Sequence, residues 1–194
     1  MADDRIAPLR TFVQGFTALL DSNTDTEEIL AGGSRLLRTL IEHDDWLLAA
    51  LAAPHPDHFV QNLLHCDPLE RFSVVAFIWG PGQATPAHNH LTWGMVGVLK
   101  GGEVVRKVTR AADGMLVHGP AQRLDPGDVD FVTDAPDDAH IVENAYPDRV
   151  SISIHVYGGN IGRIARQIWR DDGDQPFISG YSNESIPNLW APLS

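Results

Sequence analysis

At 194 residues, 43% of them hydrophobic, the chain has the length of one ordinary domain and enough apolar side chains to fill a core. The formal net charge of −12 argues against nucleic acid and anionic membranes as partners, and no apolar run approaches the ~20 residues of a membrane span. Cys66 is the only cysteine, which excludes an internal disulfide. Together with the acidic start of the chain, where an export signal would be basic, it predicts a cytoplasmic protein.

Helical periodicity marks the first part of the chain, about residues 1–56. Apolar residues recur at three- and four-residue spacing between positions 9 and 20, as on one face of a helix. Thr24-x-x-Glu27 has the pattern of a capping box and predicts the start of a second helix, which Gly32-Gly33 is expected to kink or shorten. A third short helix is predicted around 46–51. We expect these helices to pack on a sheet and to take no part in chemistry.

The pattern changes between about residues 58 and 170. Short runs rich in β-branched and aromatic residues alternate with Gly, Pro and Asp turns, which is typical of an all-β sandwich or barrel. Strands are predicted at 72–79, 93–99, 103–109, 129–133 and 150–157. The tail, 171–194, is loop-like in composition and is expected to lie on the barrel through Leu189 and Trp190. The sequence therefore predicts one domain over 1–194, an all-β core with N-terminal helices.

Three histidines are the strongest candidates for chemistry. His88 and His90 stand at i and i+2 on an extended segment, so their side chains point to the same side, and His140 could add a third nitrogen donor. Imidazole suits iron, copper, nickel and zinc alike, so the pattern indicates a metal without selecting it. The alternative is a surface strand that happens to carry two histidines. Other histidines stand in polar stretches and are expected to be solvated: His43, His55, His58 and His118. His65 lies beside Cys66, but nothing else of ligand spacing is near.

A second polar motif, Ser153-Ile154-His155-Val156-Tyr157, lies on a predicted strand. Its three polar side chains share one face because side chains alternate along a strand. If that face is the barrel interior, the three groups must hydrogen-bond to one another. The alternative is a polar ladder on an exposed face.

These motifs carry a resemblance to a known family. Gly82-x5-His88-x-His90 and Pro126-Gly127-Asp128 followed by His140-x3-Asn144 resemble the two cupin motifs. With the Ser-x-His-x-Tyr string, they resemble in particular the cysteine dioxygenase family of thiol dioxygenases. The resemblance covers about residues 59–190. It implies a double-stranded β-helix (a jelly-roll barrel), Fe(II) held by the three histidines, and a Ser153–His155–Tyr157 relay beside substrate and O2.

The chain departs from ordinary cupins and from the mammalian-type cysteine dioxygenases. The glutamate that gives ordinary cupins a fourth ligand would fall at about Gly94, and the nearest acid, Glu103, lies past the Gly101-Gly102 turn. The mammalian-type cysteine that crosslinks to the tyrosine is likewise replaced by Gly94, so Tyr157 is expected to be unmodified. Their carboxylate-binding arginine has its best counterpart in Gln61.

Gln61 is similar instead to the glutamine-type bacterial branch, the 3-mercaptopropionate dioxygenases, as are the segments 158–162, 177–183 and 187–190. Arg166 falls where that branch carries an arginine close to the site, although it could also be an ordinary exposed arginine. The resemblance implies that Gln61 and Arg166 bind the substrate carboxylate and that no organic cofactor is needed.

The expected reaction is the addition of both atoms of O2 to the sulfur of a small thiol carboxylate, with 3-mercaptopropionate giving 3-sulfinopropionate. L-Cysteine and cysteamine are alternative substrates. Two other kinds of cupin stay open: one that uses zinc, nickel or manganese to isomerise or hydrolyse a metabolite, and a ligand-binding module without activity. The sequence leaves the oligomeric state open.

Overall fold

The computed structural model of the protein describes residues 5–190. Two α-helices, α1 (Ala7–Ser22) and α2 (Thr26–Leu40), precede ten strands. The strands are β1 (Val60–Cys66), β2 (Ser73–Trp79), β3 (Gly94–Lys100), β4 (Glu103–Arg110), β5 (Leu116–Leu124), β6 (Val129–Val132), β7 (Ala139–Asn144), β8 (Ser151–Tyr157), β9 (Arg166–Ile168) and β10 (Gln175–Phe177). Within this range, neither helix has the length and hydrophobicity to span a lipid bilayer.

Two antiparallel sheets build the core. The larger has the order β1-β2-β8-β3-β6 and the smaller the order β5-β4-β7, while β9 and β10 pair as a separate ribbon. From β3 the chain crosses to the smaller sheet for the hairpin β4–β5 and then alternates between the sheets through β6, β7 and β8, which is the winding of a double-stranded β-helix. The predicted all-β core with N-terminal helices and jelly-roll barrel is thereby confirmed.

The larger sheet is covered on both faces. All seven residues of β2 and of β8 are buried. One face packs on α1 and α2 through Ile154, Val156 and their neighbours, and the other lines the barrel interior with Phe77, Trp79 and Tyr157. Because side chains alternate along a strand, β8 sends its apolar residues under the helices and its polar ones into the barrel.

Helix α2 differs from the prediction at its start and its middle. The N-cap is Asp25, one residue later than predicted, and its carboxylate accepts a hydrogen bond from the backbone N–H of Glu28 at 3.0 Å. The helix runs unbroken through Gly32 and Gly33. A Cβ on Gly33 would lie 2.6 Å from the ring of Phe16 and 2.7 Å from Met95, so the glycine allows α2 to approach both α1 and the sheet closely. The predicted kink or shortening at Gly32-Gly33 does not interrupt the helix, and the two glycines serve close packing.

Other expectations were incomplete. In place of the third helix there is only a 3-10 turn, Ala49–Leu51. The five predicted strands are present within two residues of the expected ends, but β1, β5, β7, β9 and β10 were not predicted. Strand β5 contains a glycine and a proline and is mostly exposed, so it lacks the apolar alternation by which strands are recognised.

The chain beyond β10 lies along β1, which is the edge strand of the larger sheet. The backbone N–H of Ser182 donates to the carbonyl of Gln61 at 2.8 Å, and the side-chain amide of Asn183 bonds both the N–H and the carbonyl of Leu63. Further on, Leu189 is buried in the core. Trp190 was expected to do the same but is 67% exposed.

Candidate metal centre and its cavity

The structure brings the three predicted histidines together. The ring centroids of His88, His90 and His140 are 4.8–4.9 Å apart, and one nitrogen of each lies within 4.8 Å of the other two. Over residues 5–190 this is the only group of three or more His, Cys, Asp or Glu side chains with metal-ligand spacing. Glu103 does not belong to it, so the cluster contains no carboxylate.

Backbone hydrogen bonds hold the cluster in place. His88 and His140 exchange two backbone hydrogen bonds of 3.0 Å, which join the segment before β3 to β7. Between the two ligand candidates, Asn89 points the other way and is fully buried. Its Oδ1 accepts from the N–H of Gln167 at 3.0 Å, and its Nδ2 donates to the carbonyl of Pro136 at 3.0 Å. Sequence reasoning missed Asn89, although a polar residue between two inward histidines must find partners on the opposite side.

The imidazoles have the protonation state that a metal requires. Burial is the main cause that lowers the pKa of each: to about 4 for His88, and well below its ordinary value for both His90 and His140. They are therefore neutral near pH 7, with ring lone pairs free to bind a cation. Nδ1 of His88 faces the carbonyl oxygen of Pro86 at 3.0 Å, which can only accept, so its Nε2 is the nitrogen left for a metal. Nδ1 of His90 is buried without a hydrogen-bond partner. These features fit a metal ion.

Beside the cluster, the three polar side chains of β8 form a hydrogen-bonded row. Ser153 Oγ lies 2.8 Å from Nε2 of His155, and Nδ1 of His155 lies 2.8 Å from the hydroxyl of Tyr157. The ring of Tyr157 stacks on His90 with centroids 5.8 Å apart. Burial lowers the pKa of His155 to about 3 and raises the pKa of Tyr157 above its ordinary value. The row thus consists of neutral groups at pH 7 and leads to the histidine cluster.

A cavity of about 340 Å³ opens onto His88, His90 and Tyr157. Much of its wall is apolar or aromatic, with Phe59, Phe77, Ile161, Ile168 and Phe177 among the lining residues. None of the lining residues is Asp or Glu. Such a cavity suits a small molecule held by a few polar groups.

Arg166 brings a positive charge into this cavity. It lies on β9 and is only 5% exposed, and its guanidinium carbon is 4.8 Å from the centroid of the Phe177 ring. Nη1 donates to the carbonyl of Ile161 at 2.9 Å, while Nε is buried and has no hydrogen-bond partner among residues 5–190. No acidic side chain of the described chain forms a salt bridge with it. Burial lowers its pKa, but a guanidinium stays charged at pH 7. The alternative that Arg166 is an ordinary exposed arginine is therefore wrong.

Gln61 also lines the cavity, from β1, but its amide is already engaged. Nε2 donates to Ser179 Oγ at 3.1 Å and to the carbonyl of Gly180 at 3.0 Å, so both of its N–H groups hold the segment beyond β10. The substrate-binding role of Gln61 stays a prediction. In the structure, Gln61 also holds the segment beyond β10 in place as one wall of the cavity.

Gly94 stands opposite Tyr157 in the register of β3 and β8, and a Cβ there would lie 2.7 Å from Cδ1 of the tyrosine. Position 94 therefore has no room for a side chain and offers none to crosslink.

His65 and Cys66 are neighbours on β1 and are not part of the histidine cluster. The four other histidines are exposed as expected, and one of them, His58, also lines the cavity.

No known family profile matches the chain. Solved structures that resemble it include an uncharacterised protein with a double-stranded β-helix domain from Klebsiella pneumoniae (19% identity, 58% of this chain and 83% of that one, TM-score 0.47). A cupin superfamily protein from Desulfitobacterium hafniense is 15% identical over 58% of this chain and 88% of that one, with a TM-score of 0.44. An oxalate oxidase is 17% identical over 61% and 62%, with a TM-score of 0.44. At these levels the comparisons concern the fold and leave the reaction undetermined.

Proposed function

We propose that the protein is a non-haem iron thiol dioxygenase that converts a small thiol carboxylate to its sulfinate, with 3-mercaptopropionate as the preferred substrate. One observation carries the proposal. His88 and His90 line one cavity together with Tyr157 and Arg166, and His140 completes the cluster of three neutral imidazoles beside it. The imidazoles can bind the metal, which in turn binds the thiol of the substrate. Arg166 can pair with the anionic group of the substrate.

The reaction balances without another reductant. Both oxygen atoms of O2 bond to sulfur, so R–SH becomes R–SO2H as sulfur gives up four electrons and O2 accepts four. When bound, Fe(II) held by His88, His90 and His140 supplies the redox chemistry between thiolate and O2. A site of three neutral imidazoles leaves the ion its full +2 charge, which favours an anionic thiolate over a neutral thiol.

The chain's own residues orient the substrate. Arg166 donates charge-assisted hydrogen bonds to the carboxylate, which neutralises a buried cation that forms no salt bridge with any described residue. Tyr157, fixed by His155 and Ser153, directs its hydroxyl toward the reacting end of the cavity. The aromatic wall excludes water around both groups.

The charge of the cavity favours a thiol carboxylate without an amino group. An ammonium group, as in L-cysteine or cysteamine, would lose its hydration and meet no carboxylate among the lining residues, since none is Asp or Glu. It would also lie in the field of Arg166. Cysteamine further lacks the anion that Arg166 requires.

We also propose that the protein acts in the cytoplasm on small molecules and, with its net charge of −12, without nucleic acid or membrane partners.

The test is O2 uptake by Fe(II)-loaded protein, measured with 3-mercaptopropionate, L-cysteine and cysteamine, each paired with detection of the sulfinate. We expect uptake matched by sulfinate, with the highest kcat/KM for 3-mercaptopropionate. A higher kcat/KM for L-cysteine would make the protein a cysteine dioxygenase. If iron-loaded protein consumes no O2 with any of the three thiols, the dioxygenase proposal fails, and metal-dependent isomerase, hydrolase or ligand-binding functions take its place.

A further inference from the structure

Glu103 occupies an unusual position in the barrel interior. It is the first residue of β4, pairs with Leu124 of β5 and Asn144 of β7, and is 0% exposed. Both carboxyl oxygens are buried and make no hydrogen bond with any residue of the described chain. An ionised carboxylate in such a place carries a large desolvation cost, whereas a neutral carboxylic acid carries far less. Glu103 has no place in the histidine cluster, and the reaction described so far does not use it.

The groups around Glu103 link it to the polar row of β8. The Ser153 hydroxyl and the Trp79 indole N–H are close enough to favour its ionised form, although neither completes a hydrogen bond to it. The carboxylate of Asp130 on β6 opposes ionisation. On β5 and β7 its ladder partners, Leu124 and Asn144, carry no charge. Burial is the largest influence and raises the pKa of Glu103 to about 7.

The row of β8 can carry its protons in two directions. In one, Ser153 donates to Nε2 of His155, Nδ1–H of His155 donates to the oxygen of Tyr157, and the tyrosine proton is free for the cavity. In the other, Tyr157 donates to Nδ1, Nε2–H donates to Ser153, and the serine proton points away from the cavity. The heavy-atom distances of 2.8 Å allow both. The direction therefore depends on the group that hydrogen-bonds to Ser153 on the side away from His155, and on whether that group donates or accepts.

We propose that Glu103 is a positioning residue, a buried carboxylic acid whose O–H turns toward the nearby Ser153 Oγ, donates a hydrogen bond to it, and so directs the Tyr157 hydroxyl into the cavity. The indole N–H of Trp79 already points at Ser153 Oγ at 3.3 Å, so a second donor on that oxygen leaves the serine proton only His155 as acceptor. When Glu103 loses its proton to solvent, its carboxylate becomes an acceptor for Ser153. The row then reverses, and Tyr157 donates to His155 instead of to the cavity.

The direction of the row can be measured directly from the tautomer of His155. We would load the full-length, ¹⁵N-histidine-labelled chain with Zn(II), which is diamagnetic and is bound by the same kind of imidazole ligands. The expected NMR result is an Nδ1–H tautomer at pH 5.5 that changes to Nε2–H by pH 8.5, with the midpoint near 7. The His155 signals are identified by their loss in His155→Gln. A tautomer that stays the same over this pH range overturns the proposal.

Two variants separate the role of Glu103 from general packing. Glu103→Gln keeps the shape of the side chain and cannot ionise, so the His155 tautomer should be independent of pH. Val105→Ala, two residues along the same strand and also buried, should lower thermal stability but keep the pH-dependent tautomer of the wild type. A pH-dependent tautomer that persists in Glu103→Gln contradicts the proposal.

The consequence for turnover rests on the proposed function. With Fe(II)-loaded protein and 3-mercaptopropionate, kcat should fall about tenfold as the pH rises from 6 to 8.5, because the Tyr157 proton is withdrawn from the cavity. Glu103→Gln should remove this decline. The two failures are distinguishable. Absence of turnover with any thiol would remove the dioxygenase proposal but leave the NMR result valid, and a constant tautomer in an active dioxygenase would remove only the role of Glu103.

Discussion

Arg166 is the residue whose environment says most about the substrate. Its guanidinium is buried, touches Phe177 and donates one hydrogen bond within the chain. Arg166→Met should raise KM for 3-mercaptopropionate at least about tenfold, with a smaller change in kcat, because it removes the partner of the carboxylate. Thermal stability should hold or rise, since the variant removes a buried charge that has no acidic partner within residues 5–190.

The matched control is Arg163→Met, three residues earlier in the chain. Arg163 is 75% exposed and pairs with Glu70 at 3.2 Å, away from the cavity lining. Its KM should equal that of the wild type. Equal KM changes in both variants would show that Arg166 acts through overall charge and not by contact with the substrate.

Tyr157→Phe tests the outer end of the polar row. The ring keeps its stacking on His90, so the iron content should be unchanged, while kcat should fall roughly tenfold to a hundredfold because the hydroxyl is lost. Iron content and sulfinate yield per O2 are measured together. An unchanged rate and yield would assign the tyrosine a structural role.

His140→Ala tests the metal assignment. Losing one of three ligands should abolish iron loading, read as metal content after reconstitution, while circular dichroism retains the β signature of the barrel. His118→Ala, an exposed histidine outside the cluster, should load iron as the wild type does. Full activity of His140→Ala would disprove the metal site.

Among the elements, those with strong local patterns were predictable. β2 and β8 are apolar enough to be recognised as strands, and the alternation of Ser153, His155 and Tyr157 by itself indicates that the three share one face. β1 and β7 have mixed polarity because each places polar side chains, Gln61 and His140, toward the interior. Their strand character comes from pairing with β2 and β4, which the local sequence does not encode.

The site residues divide in the same way. The i, i+2 spacing identified His88 and His90 because it is a local geometric rule. Residue patterns alone could not place Arg166 or Glu103, because a charged residue is expected on the surface unless tertiary contacts bury it. For Arg166 only the family resemblance indicated a position near the site. Three-residue β9 and its short partner β10 take Arg166 inward, and only the packing of the two sheets encloses Glu103.

The segment along β1 gives a prediction at the scale of an element. Asn183 forms hydrogen bonds of 2.7 and 2.9 Å to the backbone of Leu63 and so covers the otherwise free edge of the larger sheet. Asn183→Ala should lower the free energy of unfolding by about 1–3 kcal/mol, because it leaves backbone groups of β1 unpaired. Limited proteolysis should cut the segment beyond β10 faster.

Asn188→Ala is the control for this loss of an amide. Asn188 is exposed and bonds only the nearby N–H of Trp190 among the contacts in the described chain. Its urea unfolding curve should match that of the wild type. If Asn183→Ala unfolds at the same urea concentration as this control, the segment contributes nothing to the stability of the sheet edge.

At the scale of the whole molecule, buried titratable groups determine how stability depends on pH. Burial lowers the pKa of His88 to about 4 and of His155 to about 3, and lowers the pKa of both His90 and His140 well below the ordinary value of 6.5. In this range the unfolded chain binds more protons at these four histidines than the folded one, so their effect on stability is a loss that is absent above pH 6.5 and grows as the pH falls toward 4. Glu103 acts in the opposite direction. Its pKa is raised to about 7, so the stability it contributes is lost as the pH rises through that value.

On unfolding of the metal-free protein near pH 5, these five groups together should take up about three protons net: four bind to His88, His90, His140 and His155, and one is released by Glu103. Urea unfolding at pH values from 5 to 7.5 measures this slope. In Glu103→Gln the slope should steepen by about one proton, since only the histidines remain. Loading with Zn(II) should raise stability by a similar amount at every pH from 5 to 7.5, because the three ligands are already neutral in the folded protein and the ion binds only the folded cluster well. A free energy of unfolding that does not change between pH 5 and 6.5 would mean that the buried imidazoles are charged in the folded protein, a state in which they could not hold a metal.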